Sequence, residues 1–201
     1  MQIIPMPFEA VKMDSLICGA KTCERRPICG KSENVLENNR LAVGDIIAVQ
    51  ESWAVPSSFD YKPVNQISQE LKIPVWYRTR DRLQSSLLEH RANLAHLFKR
   101  GLYRSPESMP LWAVRFFLQI EAVCVEKLHG ITSERALSEG VIELAEGRYQ
   151  FNRAVTSCYD NPLAAYIFLW DCLYTSEAYR FESNPDVLSV EFRLCDKPDW
   201  L

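Results

Sequence analysis

The stretch GAKTCERRP, residues 19–27, places Lys21, Thr22, Cys23, Glu24, Arg25 and Arg26 in consecutive positions. A lysine just past a helix end acts as a base only where burial lowers its pKa. A neighbouring carboxylate instead holds it protonated. Glu24 is near in sequence, and Glu139 is a candidate neighbour in space. By default a Lys–Glu pair of this kind is a salt bridge. The same stretch is cationic: over residues 21–31, Lys21, Arg25, Arg26 and Lys31 stand against the single carboxylate of Glu24. A second basic segment, residues 78–104, carries seven Lys or Arg against Asp81 and Glu89, with Trp76, Tyr77 and Tyr103 interleaved or flanking. The net charge of the chain is −3, so the rest is acidic and bulk charge attracts no polyanion. Clustered Arg suits phosphate, which a guanidinium forks onto, and aromatics beside it suit base stacking. The plainer reading of both segments is a solvated face.

Other chemistries lack their residues. The seven glycines form neither G-x-G-x-x-G nor a P-loop, and there is no G-x-S-x-G elbow. His90, His96 and His129 show no metal-ligand spacing with cysteine, so neither metal nor cofactor is expected. The seven cysteines form no C-x-x-C and read as reduced, mostly buried thiols of a cytoplasmic protein. No apolar run approaches the ~18 residues of a membrane span, and the first residues lack a signal-peptide pattern.

The elements that must position these residues follow from periodicity. Residues 3–6 read as a strand. Residues 9–18 carry Ala10, Met13, Leu16 and Ile17 at helical spacing, with Gly19 as a left-handed cap. Gly44-Asp45 marks a turn before the apolar run 46–49, after which Glu51 and Trp53 fall two apart on one strand face. A Pro/Ser-rich loop, residues 56–65, precedes a strand at 73–80 and a helix capped by Asp81, with Leu83, Leu87, Leu94 and Leu97 on its apolar stripe and Gly101 at its end. Residues 112–128 read as one long, bulged strand. Thr132 or Ser133 caps a short helix closed by Gly140. Residues 148–161 are irregular, with room for a hairpin; an apolar helix starts at Asn161-Pro162 and runs to 179, and 187–194 is a closing strand. Strands and short helices without a βαβ rhythm predict an α+β fold with mainly antiparallel strands, in a single domain over 1–201 with an insertion at 56–102.

The order of these segments carries a resemblance. GAKTCERRP is followed by VGDIIAVQESWAV, by YRSPESMPLWAVRFFLQIEAVCVEKLHGITSERALSEGV, by an apolar helix containing LWD, and by VEFRL. Over nearly its whole length the chain resembles the ASCH family, in the long form found in phages and prophages. The resemblance implies a PUA-like small β-barrel flanked by helices, with a cleft beside the first helix that takes RNA, DNA or a modified nucleobase. One branch of that family hydrolyses N-acylated cytidine with a Lys-activated Thr assisted by a Glu. The motif G-x-K-x-x-T-x-R reads here as Gly19, Lys21, Glu24 and Arg26, so the lysine carries over to Lys21, the glutamate to Glu139, and the threonine position holds Glu24. Tyr103 stands where the long form has Trp, and Leu111 and Val114 replace an Arg and a Ser.

Three functions follow as expectations. The first is a binding module, with Arg25, Arg26, Glu51, Trp53, Tyr103, Arg104 and Arg115 as ligand contacts. The second is a hydrolase centred on Lys21, Glu24 and Glu139, with Glu24 activating water. The third is an interaction factor that meets a host enzyme through the inserted helix, in the cytoplasm of a bacterial host.

Overall fold

The computed structural model describes residues 1–28, 41–67, 73–79, 98–151 and 157–199. The fold is α+β. Its centre is a five-stranded sheet of β1 (Ile3–Pro7), β2 (Cys23–Pro27), β3 (Ile46–Gln50), β6 (Phe117–Lys127) and β9 (Asp186–Cys195), in the order β1-β3-β6-β9-β2. Three pairings are antiparallel; β1 runs parallel to β3, from Ile3 opposite Ile46 to Pro7 opposite Gln50. Pro5 and Pro7 lack the N–H that a second neighbour would need, which suits β1 to an edge.

Among the described residues β1 and β2 are not paired, so the sheet is not a closed ring of strands. A side chain spans the gap instead. Arg26 of β2 donates from Nη2 to Pro7 O of β1 at 2.5 Å, with its guanidinium 5.5 Å from the Phe8 ring.

Helix α1 (Ala10–Ile17) lies against one face of the sheet, where Met13 and Leu16 join Phe8, Ile47, Val49, Leu118, Ile120, Val190 and Phe192 in a buried cluster. Gly19, at φ +76°, ends the helix, a left-handed conformation natural to glycine. On the other side, α2 (Ser133–Ser138) and α3 (Pro162–Leu173) pack with Leu128, Ile131 and Val187. Their N-caps are as the sequence predicts: Thr132 Oγ1 accepts from Arg135 N, and Asn161 Oδ1 from Ala164 N. A third cluster joins Ile46, Ala48 and Phe117 to the segment after β3, which contains the short antiparallel pair β4 (Trp53–Ala54) and β5 (Trp76–Tyr77).

Several elements are shorter than their sequence patterns. The expected strand 112–128 begins only at Phe117, because Pro110 opens a 3₁₀ turn over Leu111–Ala113. The strand expected at 73–80 is reduced to Trp76–Tyr77, since its partner β4 has only two residues before Val55 and Pro56. Glu51 and Trp53 do not share one strand: β3 stops at Gln50. The apolar helix from 162 ends at Leu173 instead of 179; Tyr174 leaves helical geometry, and Asp171 Oδ1 accepts from Phe181 N to turn the chain. A small hairpin pairs β7 (Ile142–Glu143) with β8 (Tyr149–Gln150), starting earlier than expected. The inserted helix, with His90 and His96, and also Cys29 and Lys31, lies outside the described residues. Among the described residues no helix is long and apolar enough to cross a membrane.

One irregularity positions the site. Between Ile120 and Ala122 the register of β6 against β9 shifts, leaving Glu121 as the extra residue of a β-bulge. Side chains alternate across a strand, so one extra residue reverses the parity. Leu118 and Ile120 face the α1 core before the bulge, and Val123 and Val125 pack against the same core after it. The reversal sends Glu126 to the α2 face.

Candidate buried charge network and adjoining cavity

Helix α1 delivers Lys12 to the buried stripe that also holds Met13 and Leu16. After the Gly19 turn, the amides of Ala20 and Lys21 both donate to Ser15 O, which fixes Lys21 against the helix end. Lys21 then forms an antiparallel bridge with Glu139, the residue capping α2. Alternation along β2 places Glu24 and Arg26 on the α1 face, opposite Val190 and Leu188, and Cys23 and Arg25 on the α2 face, opposite Glu191 and Ser189.

Lys21 is the link between the two faces. Its Nζ lies 2.8 Å from Glu139 Oε2 and 3.0 Å from Glu24 Oε2, and donates also to the Glu139 and Cys23 carbonyls at 2.9 and 2.5 Å. The structure thus brings Lys21, Glu24 and Glu139 together. It also encloses them: they are 2%, 1% and 3% exposed. Glu24 Oε1 accepts from Lys12 Nζ at 2.6 Å and Arg26 Nε at 3.1 Å. Burial by itself would raise the Glu24 pKa, but the charges of Lys12, Lys21 and Arg26 outweigh it and hold the carboxyl well below the usual carboxylate range. Lys12 shows the converse. Burial would lower it, yet Glu24, Tyr174 and Glu9 raise it above its ordinary value.

On the α2 face Arg25 donates from Nη1 to Glu139 Oε1 and from Nε to Glu126 Oε1, both at 2.9 Å. Arg135 of α2 takes Glu126 Oε2 at 2.6 Å. The parity reversal at Glu121 is what makes Glu126 available to both. Cys23 is buried beside Arg25, and burial followed by the Glu139 charge pushes its thiol up to about 12, so it carries no thiolate at neutral pH. The Tyr166 hydroxyl is buried with no hydrogen-bond partner among the described residues; burial, then Glu139, keeps it well above its ordinary pKa.

Beside this network opens a cavity of about 360 Å³. Its wall takes Thr22 and Arg25 from the β2 region, the bulge residue Glu121, Arg135 and Ser138 from α2, and Arg193 from β9. Lys21, Glu24 and Glu139 are not in that wall.

The other expected ligand contacts gather elsewhere. Glu51 forms a two-point pair with Arg115, at 2.6 and 3.0 Å, and Arg115 lies 4.2 Å from the Tyr77 ring centre. Trp53 is fully buried; its indole donates to Ser108 Oγ and meets Trp112 edge-on, so it presents no face to a base. Arg104 stacks on Trp53 and donates to the carbonyls of Phe59, Asp60 and Lys62. Tyr103 is exposed at its margin, under Arg100. These contacts hold the segment after β3 onto the sheet. Among the described residues no group of three or more His, Cys, Asp or Glu is arranged to hold a metal ion.

Sequence reasoning did not single out Lys12, Glu121, Glu126, Arg135 or Arg193. One signal was present: Lys12 shares the face of Leu16, four residues on, within an apolar stripe. Nothing local marks Glu126, whose direction depends on the bulge.

Comparison of the chain with protein-family models, with curated proteins and with solved structures finds no match in any of the three.

Proposed function

We propose that this protein is a binding module for nucleic acid or a modified nucleoside, built on a sheet that curls toward a PUA-like barrel. The curl is supported by Arg26, which brings the two sheet edges within one side chain of each other. The observation that carries the function is the cavity beside Arg25. Its volume is within the range of small-ligand sites, and three guanidinium groups from three separate elements line it. A β-bulge aims Glu121 into the same wall, and bulges commonly re-aim side chains at sites.

Binding is favoured over hydrolysis by the state of the three residues that would catalyse it. Every donor of Lys21 is engaged by an oxygen acceptor, and Glu24 is held ionised by three cations, so Glu24 is not poised to take up a proton near neutral pH. Both are closed off from the cavity. In this reading the trio is the scaffold that holds β2, α1 and α2 in place.

The test is titration of labelled single-stranded RNA and DNA and of free nucleosides in a salt series. Ion-pair binding falls by orders of magnitude between about 50 and 200 mM salt. Binding that falls in this way, and is reduced by Arg135→Gln, supports the module. Absence of binding to every ligand, or binding of the RNA and DNA strands that is indifferent to salt, overturns it. Turnover of N-acylated cytidine that vanishes in Lys21→Ala would return the protein to the hydrolase reading.

A further inference from the structure

The walls of the cavity also bear on which chemical group enters it. We infer that it receives a terminal phosphate, a monoester, in preference to the diester of a chain interior. This rests on the reading of the cavity as the ligand site.

The innermost cation is Arg25, whose side chain is 1% exposed. Its Nε and Nη2 both converge on one oxygen of Glu126, at 2.9 and 2.8 Å, while Arg135 occupies the other oxygen. A guanidinium is best satisfied when it forks onto two oxygens. Here the Nε–Nη2 edge meets a single oxygen while Nη1 takes Glu139 Oε1, and Nη2 makes no directed hydrogen bond among the described residues. Arg25 therefore contributes to the cavity wall as a buried cation whose Nη2 is held by an ion pair without a directed hydrogen bond.

At the rim the donors are more numerous. Arg135 spends Nη1 on Glu126, and Arg193 spends Nε on Glu121 and Nη2 on Gln119. Among the described residues Nε and Nη2 of Arg135 and Nη1 of Arg193 carry no hydrogen bond. Their side chains are 42% and 62% exposed at the cavity rim. Thr22 and Ser138 add hydroxyls.

A diester carries chain on both sides and one negative charge, and it tracks along a surface. To reach Arg25 it would have to bring both flanks of its chain into a cavity of about 360 Å³. A monoester has three free oxygens and up to two charges, which suits one inner and two outer guanidinium groups. Two carboxylates share the wall. Glu121 is held by Arg193 at 3.2 Å, and Glu191 is available to accept from a hydroxyl or amino group of whatever carries the phosphate. That combination fits a nucleotide, whether free or at the end of a strand.

The experiment measures fluorescence anisotropy of matched single strands bearing a 5′-phosphate, a 3′-phosphate or only hydroxyl ends, at one ionic strength. The natural protein is run beside Arg135→Gln and Arg193→Gln, each checked for native circular dichroism. A phosphorylated end is expected to bind about tenfold more tightly than a hydroxyl end, and the advantage is expected to disappear in both variants. A mononucleotide that competes assigns the phosphate to a free nucleotide; failure to compete, with the preference intact, assigns it to a strand end. Equal affinity for all three strands overturns the terminal-phosphate inference and leaves nucleic-acid binding standing. A preference that survives both substitutions overturns it as well. No binding by any strand overturns both.

Discussion

The two faces of β2 carry the same kind of chemistry and arrange it oppositely. On the α1 face a carboxylate, Glu24, is surrounded by the cations Lys12, Lys21 and Arg26. On the α2 face a cation, Arg25, is surrounded by the carboxylates Glu126 and Glu139. The first is sealed under α1. The second adjoins a cavity. Ionic clusters centred one position apart on β2 therefore differ in role because of what covers them, and the open face is where a ligand gains access. Buried ion pairs cost much in desolvation, so such a network is weak evidence for stability gained and strong evidence for stability lost when one partner is removed.

The comparison breaks most severely at Glu24. Glu24→Ala leaves Lys12 and Lys21 buried with reduced compensation, and an expected loss of about 3–5 kcal/mol follows from removing one member of a buried network. Denaturant unfolding measures it. The same residue sets an acid sensitivity. Its folded-state pKa is depressed below the ordinary 4.5, so its contribution is complete above about 4.5 and declines as the pH falls through the folded value. Stability of the natural protein is expected to fall below pH 4.5, and Glu24→Ala to flatten that decline. An unchanged acid profile would mean that Glu24 is not the group responsible.

Arg25→Met is the matching change on the other face. Its expected cost is smaller, about 2–3 kcal/mol, because Glu126 is 18% exposed and keeps Arg135 as a partner, and Glu139 keeps Lys21. If it proves more destabilising than Glu24→Ala, the open and sealed faces have been assigned the wrong way round.

How much of this was legible in the sequence depends on the range of the interaction that fixes each residue. The helix ending at Gly19, the caps Thr132 and Asn161, and the closing strand are set by local propensity and period, and they appear near their expected positions. Juxtaposition of Lys21 with Glu139, 118 residues apart, was expected through a family resemblance and not from spacing. The direction of Glu126 was illegible because one bulge residue changes the parity of everything after it. Trp53 misled for a related reason: an aromatic among basic residues is more often core than platform, and the contacts of Ser108, Trp112 and Arg104 place it in the core.

Gly140 tests whether the two faces are coupled through the contact between α1 and α2. It has φ +102°, and an added Cβ would lie 2.5 Å from Ser15 Oγ and 3.2 Å from Lys21 Cβ. Gly140→Ala is expected to cost about 1–3 kcal/mol through backbone strain and overlap. It should also loosen the Lys21–Glu139 bridge, seen as faster amide exchange at Lys21 and Thr22. Normal protection there would show that the network is held by its charges and not by this close approach.

Arg193→Gln should have the smallest effect on stability and the most specific effect on function. The side chain is 62% exposed, and its partner Glu121 is 53% exposed, so the pair is screened by solvent. The expected change in stability is within about 0.5 kcal/mol, as for surface substitutions generally. Ligand affinity should nevertheless fall, because a rim guanidinium contributes to binding at the cavity mouth without being needed to fold it. A variant with native stability and weakened binding would separate the two roles that β2 combines. Equal ligand affinity in the natural protein and Arg193→Gln would place binding away from this rim and remove the functional half of the distinction between the two faces.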